Sequence, residues 1–139
     1  MKKEIRITIG IHPVTKKNSQ RIIRHGNGFR VLPSKAYVRY EKECAAFLLG
    51  KRYEIDEPVN VKAVYYRKDK RRVDLCNLHE ALCDVLVKYG VVTDDNCNII
   101  QTMDGSKVKH DKENPRTEIT ITPAQKEKKE DKSKKEINA

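Results

Sequence analysis

The sequence predicts an α+β domain, with a mixed β-sheet of four or more strands, two main helices packed on one of its faces, and a hairpin projecting near the N-terminus. Three observations carry this. Residues 4–11, 59–66 and 116–122 alternate apolar and polar side chains with period two, as half-buried strands do. Residues 35–49 and 75–89 repeat apolar side chains at helical spacing. The resulting order (strand, hairpin, helix, strand, helix, strand, strand) implies a mixed sheet rather than a simple meander.

In the first strand Ile5, Ile7, Ile9 and Ile11 share a face, opposite Arg6, Thr8 and Gly10. Pro13 breaks it. The loop to residue 21 then offers Lys16, Lys17 and Arg21 among short polar side chains, which suits either phosphate contacts or a plain solvated connection. Residues 21–32 read as a hairpin, because Ile22-Ile23 and Phe29 to Leu32 flank His25-Gly-Asn-Gly28, a turn rich in residues that tolerate positive φ. With Arg21, Arg24, His25 and Arg30 on it, such a hairpin suits a nucleic-acid groove. Ser34 caps the first helix, whose apolar face is Tyr37, Tyr40, Ala45, Leu48 and Leu49; Cys44 fills core space and Gly50 ends the helix.

Val59, Val61, Ala63 and Tyr65 form the inner face of the next strand, which delivers the chain into the cations of Arg67-Lys-Asp-Lys-Arg-Arg72. Asp74 stands at the N-cap of the second helix, where a carboxylate is able to accept bonds from free backbone N–H groups. Leu75, Leu78, Leu82, Val85, Leu86 and Tyr89 follow at helical spacing, and Gly90 is the C′ stop. Residues 97–103 read as a strand and Asp104-Gly-Ser as a turn. Asn114-Pro115 opens the last strand, with Thr117, Ile119 and Ile121 facing inward.

A chain of 139 residues makes one domain with one modest core. Residues 1–123 hold that core; residues 124–139, Lys/Glu-rich with one Ile, form a charged tail, either frayed helix or disordered. The formal charge is +10, and because the tail has six lysines against four acids, +8 belongs to residues 1–123. Such an excess points to a polyanionic partner, nucleic acid ahead of an anionic membrane. No apolar run approaches the roughly 20 residues of a membrane span, and Met1-Lys-Lys-Glu does not resemble a signal peptide. A cytoplasmic protein is expected, with Cys44, Cys76, Cys83 and Cys97 as reduced thiols.

Asp74, Asp94 and Asp95 are the residues with chemistry to offer. If the chain doubles back after Gly90, the two acidic sites converge beside the cation block. Hard oxygen donors of this kind suit Mg²⁺, which takes one or two carboxylates and fills its shell with water and phosphate oxygens. The plainer alternative makes Asp74 a helix cap and Asp94-Asp95 a turn. A zinc site from Cys76, His79, Cys83 and Cys97 is geometrically allowed on a helix, but lacks the tight loop spacing of structural zinc sites; burial of Cys76 and Cys83 on an apolar face accounts for them more economically.

The run Arg72-Val-Asp-Leu-Cys-Asn-Leu78, the helix ending in Lys88-Tyr-Gly90, and Asp94-Asp95 resemble the RusA family of Holliday-junction resolvases. Pro13 through Asn18, Ser34 with Tyr37 and Tyr40, and Arg116-Thr-Glu-Ile-Thr-Ile121 are similar to that family's pattern as well. The resemblance implies a small homodimeric, Mg²⁺-dependent endodeoxyribonuclease (Mn²⁺ being an alternative cofactor), of a kind frequent in prophages, which binds four-way DNA junctions and cuts two opposed strands symmetrically. It implies that Asp74 and Asp95 are catalytic metal ligands with Asp94 beside them, and that Lys68, Lys70, Arg71 and Arg72, with Lys16, Lys17 and Arg21, bind DNA. Two departures fall inside the site. Cys76 stands where the family has a second aspartate, and Glu80 where it has a functional lysine. Residues 76 and 80 share a helix face and helical side chains lean toward the N-terminus, so Glu80 is placed to restore the missing carboxylate, with Lys70 or Lys107 serving for the lysine. If it does not, the chain is a branched-DNA binding protein that does not cut.

Overall fold

The computed structural model describes residues 4–16 and 21–125, and its fold is the α+β sheet-and-helix arrangement expected. Strands β1 (Ile5–Ile9), β4 (Val59–Arg67), β5 (Ile100–Thr102), β6 (Lys107–His110) and β7 (Arg116–Pro123) form one sheet. β1 runs antiparallel to β7 and β7 antiparallel to β4, while β5 and β6 lie parallel to β4 along its other edge. The sheet is therefore mixed. Strands β2 (Arg21–His25) and β3 (Gly28–Leu32) form a separate two-stranded hairpin.

Register explains how period-two alternation builds one buried face. Ile7, Ile119 and Ala63 lie side by side across three strands, as do Ile9, Thr117 and Tyr65, and all six are buried. The next row over, Arg6, Thr120 and Lys62, faces outward. Onto the buried face pack α1 (Lys35–Glu43) and α2 (Ala45–Leu48) through Tyr37, Tyr40, Cys44 and Leu48, and α3 (Leu75–Lys88) through Leu78, Ala81, Leu82, Val85 and Leu86. At roughly 25 cal/mol per Å² of apolar surface removed from water, each large aliphatic side chain among them contributes about 1.5–3 kcal/mol.

The helix starts follow local chemistry. Ser34 Oγ accepts a 3.1 Å bond from the Tyr37 backbone N–H, a side-chain cap. The first helix is shorter than its periodicity predicts, because the chain turns at Cys44 between α1 and α2; Leu49, expected on the apolar face, is 69% exposed. Gly90, at φ +72°, ends α3; a Cβ there would lie 2.5 Å from Arg52 Nη1.

Three other segments depart from their sequence pattern. β1 stops at Ile9 rather than Ile11. Only residues 100–102 of the expected strand 97–103 are extended, because Asn96 gathers its successors: its side-chain oxygen accepts from Asn98 N–H and its carbonyl from Ile99 and Ile100. β6 falls where the sequence shows no strand pattern; all four of its residues are exposed, so it has no apolar face to betray it. Lys17 and residues 126–139 of the tail lie outside the described residues.

Candidate active site

The site grows from the two ends of α3. Asp74 is the N-cap by backbone conformation, yet its carboxylate makes no capping bond; instead Oδ2 accepts from Asn77 Nδ2 at 3.3 Å, and the side chain is exposed. The carboxylate predicted as a cap is thereby left facing solvent, where a ligand has access to it. Cys76, near the start of the same helix, is exposed as well, which corrects its assignment to a buried apolar face.

Beyond Gly90 the chain does double back. Glu54 N–H donates to the Gly90 carbonyl, Ile55 N–H to Val91, and Thr93 N–H to Ile55, so residues 90–93 are stitched to 54–55. Val91 and Val92 are buried, which anchors the segment and turns Asp94 and Asp95 outward. Asp94 Oδ1 accepts from Asp95 N–H at 2.7 Å and Oδ2 from Asn96 Nδ2 at 2.9 Å. These bonds hold its carboxyl below the usual carboxylate range. Asp95 is pushed the other way, by partial burial first and then by the neighbouring charges of Asp94 and Asp84.

Asp84 is the residue that sequence reasoning missed. It lies in the second half of α3, and with Asp95 it raises the Cys83 thiol, which burial pushes up to about 12. The available signal was its spacing: Cys76, Glu80 and Asp84 fall at i, i+4 and i+8, on one helix face. The acids that act on Asp95 are thus Asp94 and Asp84, whereas Asp74 lies ten residues before Asp84, roughly 15 Å along a helix axis. Among the described residues, no three or more His, Cys, Asp or Glu side chains gather closely enough to hold a metal ion. The donor types suit a hard divalent cation, but one chain does not bring Asp74, Asp94 and Asp95 into a single cluster. The zinc set is not assembled either: Cys83 is buried, Cys76 and Cys97 are exposed, and His79 Nδ1 lies 2.7 Å from the Tyr65 hydroxyl.

The loop before β2 joins this acidic face. Lys16 Nζ pairs with Asp84 Oδ2 at 2.5 Å, lies 5.5 Å from the centre of the Tyr37 ring, and feels the charges of Glu80 and Glu41. Its ammonium is therefore engaged by the protein. Glu80 lies close enough for its charge to act on this lysine. Lys107, on β6, is exposed.

The cation block divides in two. Arg67 is buried at the end of β4, and its Nη1 donates to the Pro13 carbonyl at 2.7 Å, tying down the loop. Next to it His12 Nδ1 accepts from the Lys68 backbone N–H, and burial with the Arg67 and Lys68 charges lowers His12 to about 4. Lys68, Lys70, Arg71 and Arg72 carry their charges at the surface. Asp69 accepts from Arg71 N–H within the same turn. Four surface cations thus precede Asp74, and Arg21 lies apart at the foot of the hairpin, where its Nε donates to the Pro33 carbonyl.

A basic α+β domain with exposed carboxylates flanking one helix, and surface cations running into its N-terminus, has the makings of a nucleic-acid-processing protein. The family model of endodeoxyribonuclease RusA matches residues 10–122, and the chain belongs to that family of Holliday-junction-resolving endonucleases. No curated protein matches the chain. No helix among the described residues is long and apolar enough to cross a membrane.

Proposed function

We propose that the chain is a divalent-metal-dependent endodeoxyribonuclease that resolves four-way DNA junctions, acting in the cytoplasm as a homodimer through residues 1–123. The observation that carries this reading is the family match over residues 10–122, which spans both Asp74 and the Asp94–Asp95 pair. Asp74 and Asp95 are assigned to metal binding, Mg²⁺ or Mn²⁺, as carboxylate positions that one chain does not gather into a single cluster, with Asp94 ligating or orienting beside Asp95. When bound, such an ion activates water and stabilises charge on the phosphodiester. Lys68, Lys70, Arg71 and Arg72 place the scissile strand by its phosphates, with Lys17 and Arg21 assigned as further phosphate contacts. Two copies about a two-fold axis present equivalent sites to equivalent junction arms.

Glu80 is assigned the role of the carboxylate missing at Cys76. Its position supports this, since it lies on the helix face of Cys76, one turn toward Asp84. Lys16, which feels the charge of Glu80, is a candidate for the lysine's part beside Lys70 and Lys107.

Incubating a synthetic four-way junction with the protein and Mg²⁺ or Mn²⁺ tests the proposal. Paired symmetric nicks are expected, strongly reduced by Asp74→Asn or Asp95→Asn. A second reading, a branched-DNA binder that does not cut, is favoured by the exposed thiol of Cys76 where an acid is expected, because sulfur is a poor ligand for Mg²⁺. Tight binding without nicking at any metal concentration selects that reading.

A further inference from the structure

Seven large hydrophobic side chains among the described residues are exposed, and four of them, Ile22, Ile23, Phe29 and Val31, sit on the β2–β3 hairpin. The cross-strand pairs Ile22–Val31 and Arg24–Phe29 share one face, so Phe29 (78% exposed), Ile22 (70%) and Val31 (58%) form an apolar strip with a guanidinium beside it. No strand of the main sheet pairs with the hairpin, and a lone two-stranded hairpin is marginally stable in water. At its foot a groove of about 380 Å³ is lined by Arg21, Lys35, Val38, Arg39, Lys42 and Glu43, four cations against one acid. Residues 21–34 contain no acid at all.

An apolar aromatic tip ahead of a cationic groove matches a polyanion with flat apolar faces on offer, which is nucleic acid with unstacked bases. A second copy of this chain fits less well. In a two-fold contact the patch meets itself, setting Arg24 against its own copy.

We propose that the hairpin is a strand-separating wedge. Phe29, flanked by Ile22 and Val31, stacks on a base at the branch point of a DNA junction, while Arg21, Lys35, Arg39 and Lys42 hold the phosphates of the arm behind it. This rests on the junction-binding reading and adds to it a second contact surface, made by the hairpin and α1.

The test uses a four-way junction carrying 2-aminopurine at the branch point, and a matching duplex, both in EDTA so that binding is read without cleavage. Wild-type protein raises the junction fluorescence. Phe29→Ala abolishes that rise and weakens junction binding roughly tenfold, within the range of base–aromatic stacking, while duplex affinity holds. Phe29→Trp retains both. Lys35→Ala with Arg39→Ala weakens junction and duplex alike and lowers the salt slope by about 2, roughly 0.9 for each phosphate no longer neutralised. Because Phe29 is exposed, its variants keep the wild-type melting temperature. Unchanged fluorescence and affinity in Phe29→Ala overturn the wedge, as does a loss of dimer in that variant, which makes the strip a self-association surface. If the wild type cuts junctions and Phe29→Ala matches it in fluorescence and affinity, only the wedge fails; if the wild type binds neither DNA, the functional reading fails with it.

Discussion

Asp95 illustrates how a residue's environment bears on its use. Burial and two neighbouring acids hold its carboxyl above the ordinary range, so its ionisation opposes folding. A group raised on folding stabilises below its unfolded pKa, and that contribution is lost as pH rises through the folded pKa. At neutral pH without divalent cation, Asp95→Asn is therefore expected to raise the melting temperature, and added Mg²⁺ to stabilise the wild type more than the variant. The same substitution is expected to cut cleavage by roughly 10²–10³-fold, the loss of several kcal/mol of charge stabilisation. Glu80→Ala assayed beside the wild type decides whether Glu80 compensates for Cys76; undiminished cleavage removes it from the site. His12 has the opposite sign. Lowered from 6.5 to about 4, it contributes stability above pH 6.5 that is lost as pH falls toward 4. A thermal melt series over that window is expected to decline, and less steeply in His12→Asn, where the titrating group is gone.

The two long helices start differently, and that difference is measurable. Ser34 makes a cap bond and Asp74 does not. Ser34→Ala is expected to cost about 1 kcal/mol in denaturant unfolding, the ordinary value of an N-cap side chain, and Asp74→Ala distinctly less. An equal loss in both is the outcome that counts against Asp74 being free for a ligand. Farther along α3, Leu82 is fully buried, and Leu82→Ala is expected to cost about 2–5 kcal/mol through lost transfer energy and the cavity left behind. The elements legible in the sequence were those with an apolar period to read. β1, β4, β7 and α3 each bury one face, and the hairpin was visible through its turn residues. β6 was not legible, since Lys-Val-Lys-His pairs through backbone alone on an exposed edge. The break at Cys44 was hidden because apolar spacing runs through it.

For the whole molecule, the charge of +10 makes binding to DNA an ionic-strength experiment. A plot of log affinity against log salt is expected to fall with a slope of about 0.9 per phosphate neutralised, and replacing Lys68 and Lys70 with Ala to flatten it by about 2. An unchanged slope assigns those cations to solvation. Sedimentation at several concentrations, with and without a junction, tests the homodimer.

By itself the sequence determined the strands and helices with one-sided apolar patterns, the basic character, and the motif that places the chain in its family. Those properties are local: neighbours a few residues apart share a face or do not, whatever the rest of the chain does. Only the tertiary structure decided how the charges are spent. Arg67, one of five cations within residues 67–72, is buried against the loop at Pro13 while the other four stay in water. Lys16, read as a phosphate contact, is paired with Asp84. Asp95 feels Asp84 rather than the residue that begins the helix, because residues 90–93 are stitched to 54–55 and that stitching sets where the turn emerges. Charges interact through space over a few ångströms, and which of them come within that reach is a property of the chain's path.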